Sequence, residues 1–243
     1  MNTLFVAWQN PATREWAPVA RLTREEDRFH FVYTKGAERE GFVPFGRLNN
    51  LKREYVSETL FPLFANRLLT RSRPEYAAYL AWLGLSQTNH DVLDELARTG
   101  GLRATDQLEL IPCPGPSTDQ GYEVFFFARG LRHLRQTNQE DCLGLQPGEQ
   151  LYLARDIQNE QDKHALLLRT REPVTMAGYA PRYYAEEFGR LMSMLPVTDL
   201  DVRIEQVNRD APIQYRLLCH LKAPWPDGFR PCAQEAYEPL VTH

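Results

Sequence analysis

The chain has 243 residues, with 28 Lys+Arg against 32 Asp+Glu and a formal net charge of −4. Hydrophobic residues at 43% and charged residues at 25% exclude disordered and fibrous classes, and the length allows one large domain or two small ones. The acidic balance argues against coating nucleic acid by bulk charge, and no apolar run approaches the roughly 18 residues of a membrane span.

Met1-Asn-Thr-Leu-Phe-Val-Ala-Trp8 lacks a basic leader, an apolar core and a small-residue cleavage site, so a cytoplasmic protein is expected. The cysteines (Cys113, Cys142, Cys219, Cys232) form no C-x-x-C pair, and the histidines are dispersed. No metal site and no cofactor site is therefore expected.

Three aromatic and β-branched runs, Thr3–Trp8, Trp16–Arg21 and Arg28–Tyr33, predict strands, with turns at Asn10-Pro11 and Lys35-Gly36. Leu60, Phe61, Phe64 and Leu68 share a helical face and predict a helix over 58–69, with Pro62 near its start. Ser72-Arg-Pro-Glu75 fits a capping box for a second helix to about Leu85. A third, His90 to Arg98, should end at Gly100-Gly101 in a left-handed cap. Gln107–Pro112 is a closing strand.

Cys113-Pro-Gly-Pro-Ser-Thr-Asp-Gln-Gly121 reads as a linker and places a boundary between domains at 1–112 and 122–222. Beyond it, Tyr122–Ala128 is apolar on both faces and predicts a buried central strand. Strands follow at Gln150–Arg155, His164–Arg169 and Val174–Ala180, then a helix at Tyr183–Leu195. Asp201–Val207 and Ile213–Leu221 read as a hairpin, and 223–243 as an irregular tail. The fold class is α+β: an antiparallel β-meander with a small helical bundle, then a small β-rich domain with one main helix.

No G-x-S-x-G, P-loop, G-x-G-x-x-G or kinase motif occurs, so no catalytic residue is assigned and a non-enzymatic role is expected. The clustering of Asp162, His164 and His133 in two loops is the one feature that would suit a metal-dependent nuclease. One constellation stands above this background: Gly130-Leu-Arg132, Pro147-Gly148, Asn159-x-x-Asp162-x-x-Ala165 and Gly178-Tyr-x-Pro-Arg182, in order over about residues 122–195. This order resembles the HIRAN domain, found in some fork-remodelling helicases and as free-standing bacterial proteins.

The resemblance implies a small β-barrel that grips single-stranded DNA at a 3′ end. It implies Arg132 as phosphate clamp, His133 at the first stacking position, Asn159 and Asp162 on the terminal sugar, and Lys163, Tyr179 and Arg182 along the backbone track. The family commonly has tyrosine where His133 stands, and asparagine-proline-tyrosine-aspartate where this chain has Asn159-Glu-Gln-Asp162. A base stacked on an aromatic ring contributes about 1–3 kcal/mol, which Gln161 does not supply. From the residues alone, Asn159 and Asp162 equally suit a hydrogen-bonded turn between strands.

In the first half, Phe64-Ala-Asn-Arg-Leu68, set in helices after a meander, resembles the N-terminal subdomain of HipA-type kinases, without a kinase body. The expectation is thus a DNA-binding adaptor for single strands or 3′ ends, with an N-terminal protein-interaction domain. A helicase, a nuclease or a HipA-type kinase would be its partner, in DNA repair, phage defence or a toxin–antitoxin system. The alternative is an antitoxin-like regulator of such a kinase, with no end recognition. Residues 121–243 carry 14 Lys+Arg against 17 Asp+Glu, so any DNA binding must come from a local pocket.

Overall fold

The computed structural model describes residues 3–117 and 119–241. The chain folds into two compact units, one of Met1–Tyr76, Thr88–Pro114 and Arg230–His243, the other of Ala77–Gln87 and Gly115–Phe229. From the sequence, 77–87 is expected in the first domain and 223–243 in a tail of its own.

The first unit is built on strands β1 (Thr3–Gln9), β2 (Trp16–Glu25), β3 (Arg28–Tyr33) and β4 (Tyr55–Ser57), with β5 (Leu108–Pro112). They form one antiparallel sheet in the order β4-β3-β2-β1-β5. The meander is as expected, but its second turn is Glu26-Asp27, not Lys35-Gly36. Both turn residues take positive φ (46° and 65°), the geometry of a two-residue hairpin, without the glycine or asparagine that would have flagged it.

The helix expected over 58–69 is one turn, α1 (Pro62–Ala65). Phe61 and Phe64 are buried and Leu60 and Leu68 pack against the same core, so the apolar spacing records anchoring on either side of a single turn. Helix α2 (Tyr76–Trp82), which apart from Tyr76 belongs to the second unit, is shorter than expected and starts after the proposed cap. It ends before Gly84, whose φ of +64° no side chain adopts readily. In α3 (Val92–Thr99), Asp91 accepts a hydrogen bond from the Leu93 N–H at 2.8 Å, and Gly100 closes the helix at φ 67°. Leu93 and Leu96 bury its inner face. Residues 230–241 return to this unit. Leu240 N–H donates to the Tyr33 carbonyl at 2.8 Å, and Tyr237 packs edge-on to Phe5.

The second unit contains β6 (Gly121–Phe127), α4 (Gln136–Gly144), β7 (Gln150–Arg155), β8 (Leu166–Arg169), β9 (Met176–Tyr179), α5 (Arg182–Met194), β10 (Asp201–Val207) and β11 (Leu217–Pro224). Its strands form one antiparallel sheet in the order β6-β11-β10-β7-β8-β9. Beyond β6, Arg129 and Tyr179 exchange both backbone hydrogen bonds at 2.8 Å, which joins the two ends of the sheet and curls it into a barrel.

β6 is therefore an end strand, not the central strand expected. Tyr122, Val124 and Phe126 face the core with Tyr184, Phe188 and Leu191 of α5. The second apolar row is covered locally: Phe125 stacks on His220 with centroids 3.9 Å apart, and Phe127 packs on Tyr215. Helix α4 escaped the sequence reading because only Cys142 among its residues is buried, so it carries no apolar stripe. No helix among the described residues is long and apolar enough to cross a membrane.

Candidate nucleic-acid interface

The barrel closure brings three of the singled-out segments together. Gly130 has φ +74°, and a Cβ there would lie 3.1 Å from the Tyr179 ring. A short 3₁₀ turn, Leu131–His133, follows, in which Leu131 is buried and Arg132 and His133 are exposed. The Arg132 Nε donates to His133 Nε2 at 3.0 Å, so the two proposed DNA ligands hold each other at the surface. Gly178 faces them across the closure. A Cβ on it would lie 2.5 Å from the Arg129 carbonyl oxygen, so only glycine lets the two backbones pair.

The β7–β8 loop is ordered by its own side chains. Asn159 Oδ1 accepts from the N–H groups of Gln161 and Asp162, both at 3.0 Å, and Asp162 Oδ1 accepts from the His164 N–H at 2.9 Å. This is the hydrogen-bonded turn that asparagine and aspartate favour. It also leaves Asp162 Oδ2 facing Arg182 Nε at 3.5 Å, while the same guanidinium donates to the Gln161 carbonyl at 3.1 Å. Arg182 opens α5, so the helix start and the loop are clamped together.

Tyr179 and Asp156 complete the set. The Tyr179 hydroxyl donates to Asp156 Oδ2 at 2.8 Å, and Asn159 Nδ2 donates to the same oxygen at 3.2 Å. The Tyr179 bond, then the Asn159 bond, holds the Asp156 carboxyl below its ordinary range. Burial, then the neighbouring carboxylate, pushes the Tyr179 hydroxyl up, so it stays a donor at neutral pH.

Asn159, Asp162, Tyr179 and Arg182 thus form one polar cluster, with Arg132 and His133 three residues or fewer from the Gly130–Tyr179 contact. Lys163 is exposed and lines a cleft along α5 instead. Asp156 was not singled out from the sequence, although it stands three residues before Asn159. Its role depends on Tyr179, 23 residues away, which local spacing does not reveal. Gln161, in the position of the missing aromatic, is exposed and engaged through its backbone. Asp162, His164 and His133 do not gather, and among the described residues no three His, Cys, Asp or Glu side chains are placed to hold a metal.

The HIRAN domain matches residues 122–225. The barrel and its main helix agree with the fold class expected from that likeness, and the match runs beyond residue 195 to take in β10 and β11. These two strands fill the sheet between β6 and β7, so the motif-bearing segment alone would not close. The match does not reach residues 1–121, and the HipA-type resemblance gains no support from it. No curated protein matches the chain. A structural-genomics crystal structure of a protein from Lactobacillus plantarum is similar at 18% identity, covering 42% of this chain and 96% of that one, with a TM-score of 0.32.

Proposed function

We propose that the chain is a non-catalytic DNA-binding protein whose second unit holds the 3′ end of a single strand at the cluster described above. The carrying observation is the run of contacts from Gly130, two residues before exposed Arg132, through Tyr179 and Asp156 to a pre-ordered loop in which Asp162 keeps one carboxylate oxygen turned toward half-exposed Arg182. Arginine supplies charge for a phosphate, histidine a planar face for the terminal base, and Asp162 an acceptor for a free 3′-hydroxyl. The HIRAN match over the same residues supports this reading.

The site is built by a unit of net acidic charge, so binding should be local, modest and salt-sensitive. The first unit would serve protein contacts, a role supported by its exposed Val43 and Val56. The alternative, a regulator of a HipA-type kinase, uses the second unit only as scaffold and predicts no end preference.

A gel-shift with single-stranded oligonucleotides ending in 3′-hydroxyl or 3′-phosphate separates the two. Wild type should prefer the hydroxyl end, and Asp162→Ala should lose the preference. Arg132→Ala should weaken binding to both, by roughly the 1–3 kcal/mol of a lost charged contact. Equal and negligible binding by all three proteins would sink the proposal.

A further inference from the structure

Between the β7–β8 loop and α5 lies a cleft of about 330 Å³, large enough for a small ligand, for which pockets run from roughly 300 Å³ upward. Arg155, Ile157 and Lys163 line it from the loop side, and Ala185, Gly189 and Ser193 from the helix. The side chains of Arg155 and Lys163 are exposed and make no hydrogen bond or ion pair among the described residues. Two carboxylates also line the cleft. Asp156 is held by Tyr179 and Asn159, and Glu186 stands on the helix.

Gly189 points to a ligand independently. It lies inside α5 without a positive φ, and a Cβ built on it meets nothing within 4 Å. Neither backbone conformation nor packing requires glycine there, yet glycine weakens a helix interior. Ala185, Gly189 and Ser193 recur every four residues and share one helix face; Ala185 is buried, so Gly189 and Ser193 form the accessible, nearly flat part of it. Ile157, with 89% of its surface exposed, is an apolar side chain on the opposite wall.

We propose that this cleft takes an internal nucleotide of the strand whose end is held at Asn159–Asp162. Arg155 and Lys163 receive its phosphate, and the base lies on Gly189 and Ser193 against Ile157. The inference rests on the DNA-end reading above and adds a second contact that is indifferent to the chemistry of the end.

The test is fluorescence anisotropy on the full chain with oligothymidylates of about ten nucleotides, within the site sizes such modules cover, ending in 3′-hydroxyl or 3′-phosphate. Gly189→Leu fills the cleft and should melt at or above the wild-type temperature, which controls for folding. It and Arg155→Ala should each weaken both oligonucleotides about threefold to tenfold and leave the hydroxyl-to-phosphate ratio unchanged. Arg155→Ala should also reduce the salt slope by about 0.7, the value for one single-strand phosphate contact. If both variants bind like wild type while Arg132→Ala loses affinity, the cleft proposal falls and end recognition stands. Weakening confined to the hydroxyl-ended oligonucleotide would make the cleft part of the end site and overturn the internal-nucleotide assignment. No binding by wild type would remove both.

Discussion

Two arginines, one in each unit, make the same kind of bridge with opposite consequences. Arg67 of the first unit donates to the Gly101 carbonyl at 2.7 Å and to both oxygens of Asp106 at 3.2 and 2.6 Å, with its side chain 1% exposed. Arg182 of the second unit donates to the Gln161 carbonyl at 3.1 Å and faces Asp162 at 3.5 Å, with its side chain 47% exposed. The first guanidinium is dry, bidentate and fully used. The second is loose and wet, so a phosphate can compete for it at small cost. A basic residue touching a loop carbonyl and an aspartate is thus structural or available according to burial, not according to its partners.

Arg67→Ala should destabilise the protein by about 3 kcal/mol, the low end for losing one partner of a buried pair, because Asp106 remains a third exposed. Chemical denaturation monitored by tryptophan fluorescence measures it, and a loss under about 1 kcal/mol would remove the contrast.

In the second unit the backbone closure, rather than a side-chain pair, should hold the site together. Gly178→Ala puts a Cβ against the Arg129 carbonyl at φ +93°, and should cost roughly 1–3 kcal/mol as a strained backbone position. Its amide-exchange signature should be lost protection at Arg129 and Tyr179, with the first unit unchanged. Arg182→Ala should cost under about 1 kcal/mol, as exposed ion pairs do, while weakening DNA binding. A stability loss equal to that of Arg67→Ala would show Arg182 to be structural as well.

The smallest effect sharpens the electrostatics of the loop. Tyr179→Phe removes the main bond that depresses Asp156, so its carboxyl should titrate closer to the ordinary range in a carbon-detected NMR titration. The sign follows from linkage. A carboxylate depressed in the folded state stabilises above the ordinary carboxylate range, and that contribution disappears as pH falls through the depressed value. The variant should therefore lose that stabilisation at neutral pH and depend less steeply on pH in acid.

Much of this was legible in the residues because the responsible forces act within a few positions. The three-strand meander, the Gly100 cap and the Asn159–Asp162 turn each rest on contacts to nearby residues or on short runs of aromatic and β-branched residues. The failures share one cause. Glu26-Asp27 turns the chain without glycine, α4 folds without an apolar stripe, and apolar anchoring imitates a longer helix at 58–69. In each case the local pattern was uninformative or doubly satisfiable, and packing chose.

The site divides along the same line. Sequence by itself determined which residue types stand in the loops and that the loop orders itself, since Asn159 reaches only two and three residues ahead. Tertiary structure alone decided that Tyr179 holds Asp156, that Gly130 and Gly178 let Arg129 close the barrel, and that Arg182 meets Asp162. It also decided that β10 and β11 complete the sheet and that Gly189 borders open space. Those pairings join residues about 20 to just over 100 positions apart. Their partners are fixed by the curl of the sheet and by which surfaces exclude water, and neither is written in any short window of the chain.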